Sequence, residues 1–191
     1  MPRPKSSAVP GSGITVDVSP SGLPETSLPM SEPVENLSRK VMTDPVNFLA
    51  FGFGTGLAPF APGTFGSLPG VLLFWLTLDF GLYVQLLVAA VISIIGVWIC
   101  GESARRIGVH DHGGIVWDEI AGMYITLLVA PPTVLGWVLA FIFFRAMDIV
   151  KPWPIRDVDH RLGGGLGIML DDLVAALYAA ILLGLYGWLM T

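Results

Sequence analysis

Five acidic residues stand where they could hold a metal or move a proton: the doublets Asp118-Glu119 and Asp171-Asp172, and Asp148. Hard divalent cations such as Mg²⁺ take oxygen ligands, and Mg²⁺ is often held by one or two carboxylates together with phosphate and water. Neighbouring acids on a helix diverge by about 100°. The spacing therefore predicts one good ligand per doublet, with the other acid paired elsewhere. Acids at helix starts also cap free N–H groups and suit the positive end of the helix dipole. Either doublet alone reads that way. Three acidic clusters on three apolar runs, all at one depth, favour a metal site.

Cations accompany the acids. Arg145 and Asp148 are three residues apart, so on a helix they share a face and can pair. The run Lys151-Pro-Trp-Pro-Ile-Arg156 has a cation at each end and prolines around Trp153. A stiff loop holding two cations suits a phosphate. The same charges could set topology or meet lipid headgroups, with Trp153 an interfacial anchor. The blocks Pro62-Gly63-Thr64-Phe65-Gly66-Ser67 and Gly163-Gly164-Gly165-Leu166-Gly167 would let backbone N–H groups approach an anion, or simply form turns. Neither is a P-loop, which needs Gly-Lys-Ser/Thr. His110-Asp111-His112 could bind a metal or shuttle a proton, or be a plain solvated loop.

The elements that must position these groups are apolar. Residues 64–80, 82–101, 115–130, 133–150 and 171–190 read as spans. Pro131-Pro132 and Pro152 end the third and fourth. Residues 46–61 are apolar but broken by glycine and proline, which predicts an interfacial or re-entrant helix. The expected fold is therefore all-α: a polytopic membrane bundle of about five spans plus that N-terminal segment. Arg3, Lys5, Arg39 and Lys40, then Arg105 and Arg106, then Lys151, Arg156 and Arg161 fall on one side of such a bundle. The connections at 79–83 and 131–133 carry no basic residue. By the positive-inside rule the basic side is cytoplasmic. All five acids, and the Gly63 block, lie at that same face.

Composition agrees. Of 191 residues, 53% are hydrophobic and 13% charged, with a mean hydropathy of +0.72. A soluble surface needs more charge than this. A net charge of −5 gives no support to nucleic-acid binding, where a basic surface is expected. Cys100 is the sole cysteine and reads as a small buried hydrophobe. Residues 1–44, rich in Pro, Ser and Gly, lack a signal-peptide core and read as a disordered tail ahead of a membrane domain over 45–191.

Four blocks in order resemble the phosphatidylglycerophosphatase A family over residues 45–190. They are Pro62-Gly63-Thr64-x-Gly66-Ser67, then Val109-His110-Asp111-His112-Gly113 with Val116-Trp117-Asp118-Glu119, then Arg145-x-x-Asp148-x-x-Lys151-Pro-Trp-Pro-Ile-Arg156, then Gly167-Ile-Met-x-Asp171-Asp172. The resemblance implies a bacterial inner-membrane enzyme. It implies Mg²⁺-dependent removal of the terminal phosphate of phosphatidylglycerophosphate, giving phosphatidylglycerol. The expected metal ligands are Glu119, Asp148, Asp171 and Asp172. Arg145, Lys151 and Arg156, with Thr64 and Ser67, would meet the substrate. Asp118, Glu119 and His112 are the expected catalytic residues, with Asp118 or His112 as base or acid, and a covalent aspartyl-phosphate is an alternative to direct attack by water.

Other lipid-phosphatase and phosphotransferase signatures are missing. There is no Ser-Gly-His block, and Asp157-Val-Asp159 is followed by His160 rather than Thr or Val. There is no Asp-x-x-Asp-Gly-x-x-Ala-Arg run. The rival from another class is an ion or proton transporter using the intramembrane acids. A conduit would place polar groups across the midplane, whereas here they cluster at one end.

Overall fold

The computed structural model describes residues 34–109, 112–153 and 163–190. Among the described residues every regular element is helical. Helix α1 spans Val34–Thr43 and α2 Pro45–Ala50, followed by a 3₁₀ segment, Gly52–Leu57. Helix α3 runs Pro62–Thr77 and continues as a 3₁₀ turn, Leu78–Phe80. Then come α4 (Leu82–Ile107), α5 (Trp117–Leu127), α6 (Val134–Val150) and α7 (Gly164–Met190).

Three stretches are long and apolar enough to cross a membrane: Pro62–Phe80, Leu82–Ile107 and Gly164–Leu189. At 1.5 Å per residue α4 is ~39 Å long, against a hydrocarbon core of about 30 Å. The other two expected spans are shorter helices, 11 residues in α5 and 17 in α6. Outward-facing Leu72, Trp75, Ile94, Trp98, Ile181 and Trp188 are exposed, an apolar exterior suited to lipid. Cys100 is buried and free, as expected.

The N-terminal part departs from expectation. The segment Val34–Thr43, read as tail, is helical, and Val41 is fully buried. Residues 46–61 do not form one helix. The chain breaks after Ala50 into the 3₁₀ segment, with left-handed Phe53 and Gly54 (φ 60° and 92°). Gly56 is needed there because a Cβ would run into the Gly114 carbonyl ahead of α5. Asp44 caps α2, its Oδ1 accepting from the N–H groups of Val46 (2.9 Å) and Asn47 (3.4 Å). Arg106, in the last turn of α4, donates to both Asp44 oxygens at 2.8 Å and so ties α2 to α4. Burial pushes the Asp44 carboxyl up, but the Arg106 guanidinium and the two N–H groups outweigh it and hold the carboxyl below its ordinary value of 3.8.

Helix α5 is the centre of the bundle and touches α3, α4, α6 and α7. After its first turn it is uncharged and mostly apolar, with Ile120, Ala121, Met123, Tyr124 and Leu127 buried, as a helix enclosed by others should be. Small residues allow the close approach. A Cβ on Gly70 of α3 would lie 2.6 Å from the Ile120 carbonyl, and one on Gly165 of α7 would strike the Val97 carbonyl of α4. Within the two Gly-rich blocks, Gly66 packs against Val116 and Gly165 against α4, so these glycines serve helix packing.

Candidate active site

The pocket is assembled from the start of α5, the end of α6 and the third turn of α7. The loop before α5 is pinned: Val116 N–H donates to the Ala50 carbonyl (2.8 Å) and Ile115 N–H to that of His112 (2.8 Å). This launches α5 with Asp118 and Glu119 in its first turn, where the dipole favours acids. The cap itself is Val116, whose side chain makes no capping bond. Asp118 Oδ1 and Glu119 Oε2 are buried and have no hydrogen-bond partner among the described residues.

Helix α6 brings Arg145 and Asp148 on one face, and their predicted pairing is present at 2.5 Å (Nη1 to Oδ2). The same Nη1 is 3.8 Å from Glu119 Oε1 on α5. Helix α6 ends at Lys151, a left-handed residue (φ 46°, ψ 64°). The proline after it disfavours continuing the helix. Its ammonium lies on Asp171 Oδ2.

Asp171 and Asp172 do not open a helix. Helix α7 begins at Gly164, so the pair sits about two turns inside, 6% and 2% exposed. Capping cannot explain acids so placed. Gly122 of α5 makes room for this stretch: a Cβ there would lie 3.1 Å from the Asp172 carbonyl and 2.6 Å from the Phe144 ring.

Asp118, Glu119, Asp148, Lys151, Asp171 and Asp172 line one cavity of about 160 Å³, with Gly113, Ile115 and Ile168 completing its wall. Asp118, Glu119 and Asp172 each bring one oxygen to within 4.8 Å of the others, and Asp148, Asp171 and Asp172 form a second such set. Both members of each doublet thus converge, against the expectation of one. The divergence along a helix is overcome because α5, α6 and α7 surround the cavity.

Other expected site residues fall elsewhere. Ser67 is buried in α3 and donates to the Gly63 carbonyl (2.8 Å), and neither it nor Thr64 lines the cavity. His112 does not line it either: Nδ1 accepts from Gly114 N–H (3.0 Å) and the ring packs on Phe51 (centroids 5.5 Å apart). Arg156, His110 and Asp111 lie outside the described residues. The member of the Gly63 block that meets the site is Gly63 itself, where a Cβ would strike Glu119 Oε1 and the Arg145 guanidinium. Residues missed in the sequence include Ile115, Ile168 and Gly122, which bear no chemistry of their own to mark them.

Beside the pocket, Leu68 and Val71 of α3 and Val134, Trp137, Val138, Phe141 and Ile142 of α6 form an apolar cleft of about 330 Å³. Along α6 the cleft residues Val138 and Phe141 lead to Arg145 and Asp148 at steps of three and four, along one face.

Three apolar stretches of membrane-crossing length, packed with shorter helices around a cavity lined by acids and Lys151, define a helical membrane protein. The chain belongs to the phosphatidylglycerophosphatase A family, whose model matches residues 48–186. It is 45% identical over 163 residues to phosphatidylglycerophosphatase A of Escherichia coli K12, covering 85% of this chain and 94% of that protein. The Haemophilus influenzae protein of the same name is 43% identical over 153 residues, covering 79% of this chain and 92% of that one. A Bacteroides thetaiotaomicron protein provisionally named phosphatidylinositol-3-phosphatase is 34% identical over 148 residues, 73% of this chain and 91% of that one. No solved structure matches the chain.

Proposed function

We propose that the chain hydrolyses the terminal phosphomonoester of phosphatidylglycerophosphate to phosphatidylglycerol and inorganic phosphate, with Mg²⁺ as cofactor. The observation that carries this reading is a single buried cavity where carboxylates from α5, α6 and α7 meet Lys151, with Arg145 on its edge, in a chain of this family.

The donor atoms on offer are all carboxylate oxygens, which suit a hard cation. Several are buried without a partner among the described residues, which a cation would relieve. Glu119, Asp148, Asp171 and Asp172 would hold Mg²⁺, which when bound supplies charge neutralisation and orients a water. Arg145, Lys151 and Arg156 stabilise charge on the transferring phosphoryl group. Asp118 accepts a proton from the attacking water. The bond from phosphorus to the glycerol oxygen breaks, and that oxygen takes up a proton as the alcohol leaves. His112, the other candidate for base or acid, holds the loop before α5 through Nδ1 and does not line the cavity, so Asp118 is the better placed of the two.

The lipid half of the substrate has a place as well. The cleft between α3 and α6 lies on the face of α6 that carries Arg145, so an acyl chain there reaches toward the pocket. The finer topology belongs to the same proposal: five spans, counting α5 and α6, in the bacterial inner membrane with the pocket toward the cytoplasm. Its support is the charge bias. Arg39, Lys40, Arg105, Arg106, Arg145 and Lys151 all belong to helix segments at the pocket end of the bundle.

The test is phosphate release by the purified chain in mild detergent, with Mg²⁺ and with chelator. Phosphatidylglycerophosphate should be preferred over phosphatidic acid and phosphatidylinositol 3-phosphate. Preference for another lipid would replace the substrate, and no release from any would overturn the reading.

A further inference from the structure

We infer that the pocket is a two-cation site in which Asp172 is the carboxylate shared by both ions. The inference rests on the phosphatase reading and deepens it.

The pocket offers two ligand sets rather than one. Asp118 and Glu119 reach in from α5, and Asp148 from α6 with Asp171 from α7; each pair forms a set of three oxygens, within 4.8 Å of one another, only by adding Asp172. Asp172 is 2% exposed, and its Oδ2 has no hydrogen-bond partner among the described residues. A buried carboxylate oxygen left bare is costly, so this one is built for a ligand the protein does not itself supply.

Charge points the same way. Five carboxylates face two side-chain cations, Arg145 and Lys151, a surplus of three negative charges among the described residues. With Arg156 also at the phosphate the acids remain in excess by two, which one divalent cation only neutralises toward a phosphomonoester dianion. A second makes it positive. The two basic side chains are also placed on the outer ligands. Arg145 spans Asp148 of one set (2.5 Å) and Glu119 of the other (3.8 Å), and Lys151 sits on Asp171. Two ions bridged by one carboxylate would clamp the attacking and leaving oxygens of an in-line displacement at phosphorus.

Mn²⁺ titrated into the purified full-length chain and followed by electron paramagnetic resonance tests this directly. The expected result is two Mn²⁺ per chain with a spin-coupled signal, displaced by excess Mg²⁺. Asp172→Asn should abolish the coupling, and Asp118→Asn should leave one Mn²⁺ in the Asp148 set. A single Mn²⁺ per wild-type chain, or two uncoupled ions in it, overturns the inference whether or not the variants fold. One Mn²⁺ with intact Mg²⁺-dependent phosphate release overturns the two-cation site and leaves the phosphatase reading standing. Two coupled ions in a chain that releases no phosphate from any lipid sinks that reading and keeps this one.

Discussion

The ammonium group of Lys151, at the end of α6, lies on the carboxylate of Asp171, two turns inside α7. The contact closes the pocket between two helices, and Lys151 reaches it from a left-handed backbone conformation that a side chain disfavours. Strain of this kind persists where the surrounding structure over-determines it, typically at functional sites.

Backbone and charge can be separated at this position. Lys151→Gly and Lys151→Ala both remove the cation, and each should lower kcat by roughly 10²-fold or more. Glycine accepts φ near 46° without a Cβ penalty, so Lys151→Gly should be the more stable of the two by about 1 kcal/mol. Thermal unfolding in detergent beside the phosphate assay reads both. Equal stability would remove the strain argument.

Gly63 has no chemistry of its own, yet a side chain there would enter the space of Glu119 and Arg145. Gly63→Ala should lower kcat by ~10–10²-fold through displaced site groups, with the bundle still folded by circular dichroism. Gly184→Ala, which meets open space on α7, should keep full activity and unfold no earlier. Full activity in Gly63→Ala would show that the Glu119–Arg145 geometry is not required.

Filling the α3–α6 cleft should be felt only by substrates with long chains. Val138→Trp is expected to cut kcat/KM for a long-chain phosphatidylglycerophosphate by roughly tenfold and to spare a short-chain soluble analogue. Parallel assays on the two substrates check it, and an equal effect on both would remove the cleft from lipid recognition.

Asp44 gives the outer part of the fold a defined pH dependence. Its folded carboxyl titrates below the unfolded value of 3.8, so its pairing with Arg106 contributes stability above that value. The contribution is lost as pH falls through the lower folded value. Asp44→Asn should therefore unfold earlier than wild type near neutral pH, with the gap closing in acid. Thermal midpoints across pH measure it, and a gap that widens in acid would contradict the assignment.

Much of the site was legible because ionisable residues are scarce in an apolar chain and their placement at span ends follows from hydropathy alone. The Arg145–Asp148 pair needed only helical spacing. The position of Asp171 and Asp172 was misjudged because Gly163–Gly167 reads as a turn by propensity. Packing of Gly165 against α4 makes the stretch from Gly164 helical instead. The local bonds of Ser67 and His112 were hidden for a related reason. Each satisfies a local backbone group, Ser67 at the Gly63 carbonyl and His112 at Gly114 N–H, and such bonds leave no mark on composition. The convergence of both doublets depended on three helices closing around one cavity, which single-helix geometry cannot express.

The central claim is that the acids of α5, α6 and α7 form the catalytic centre for a lipid phosphomonoester. The most direct measurement is Mg²⁺-dependent phosphate release from phosphatidylglycerophosphate by wild type, Glu119→Gln and Asp172→Asn, each shown to be folded. Losses of ~10³-fold or more in both variants are predicted. Wild-type turnover in either folded variant would contradict the claim.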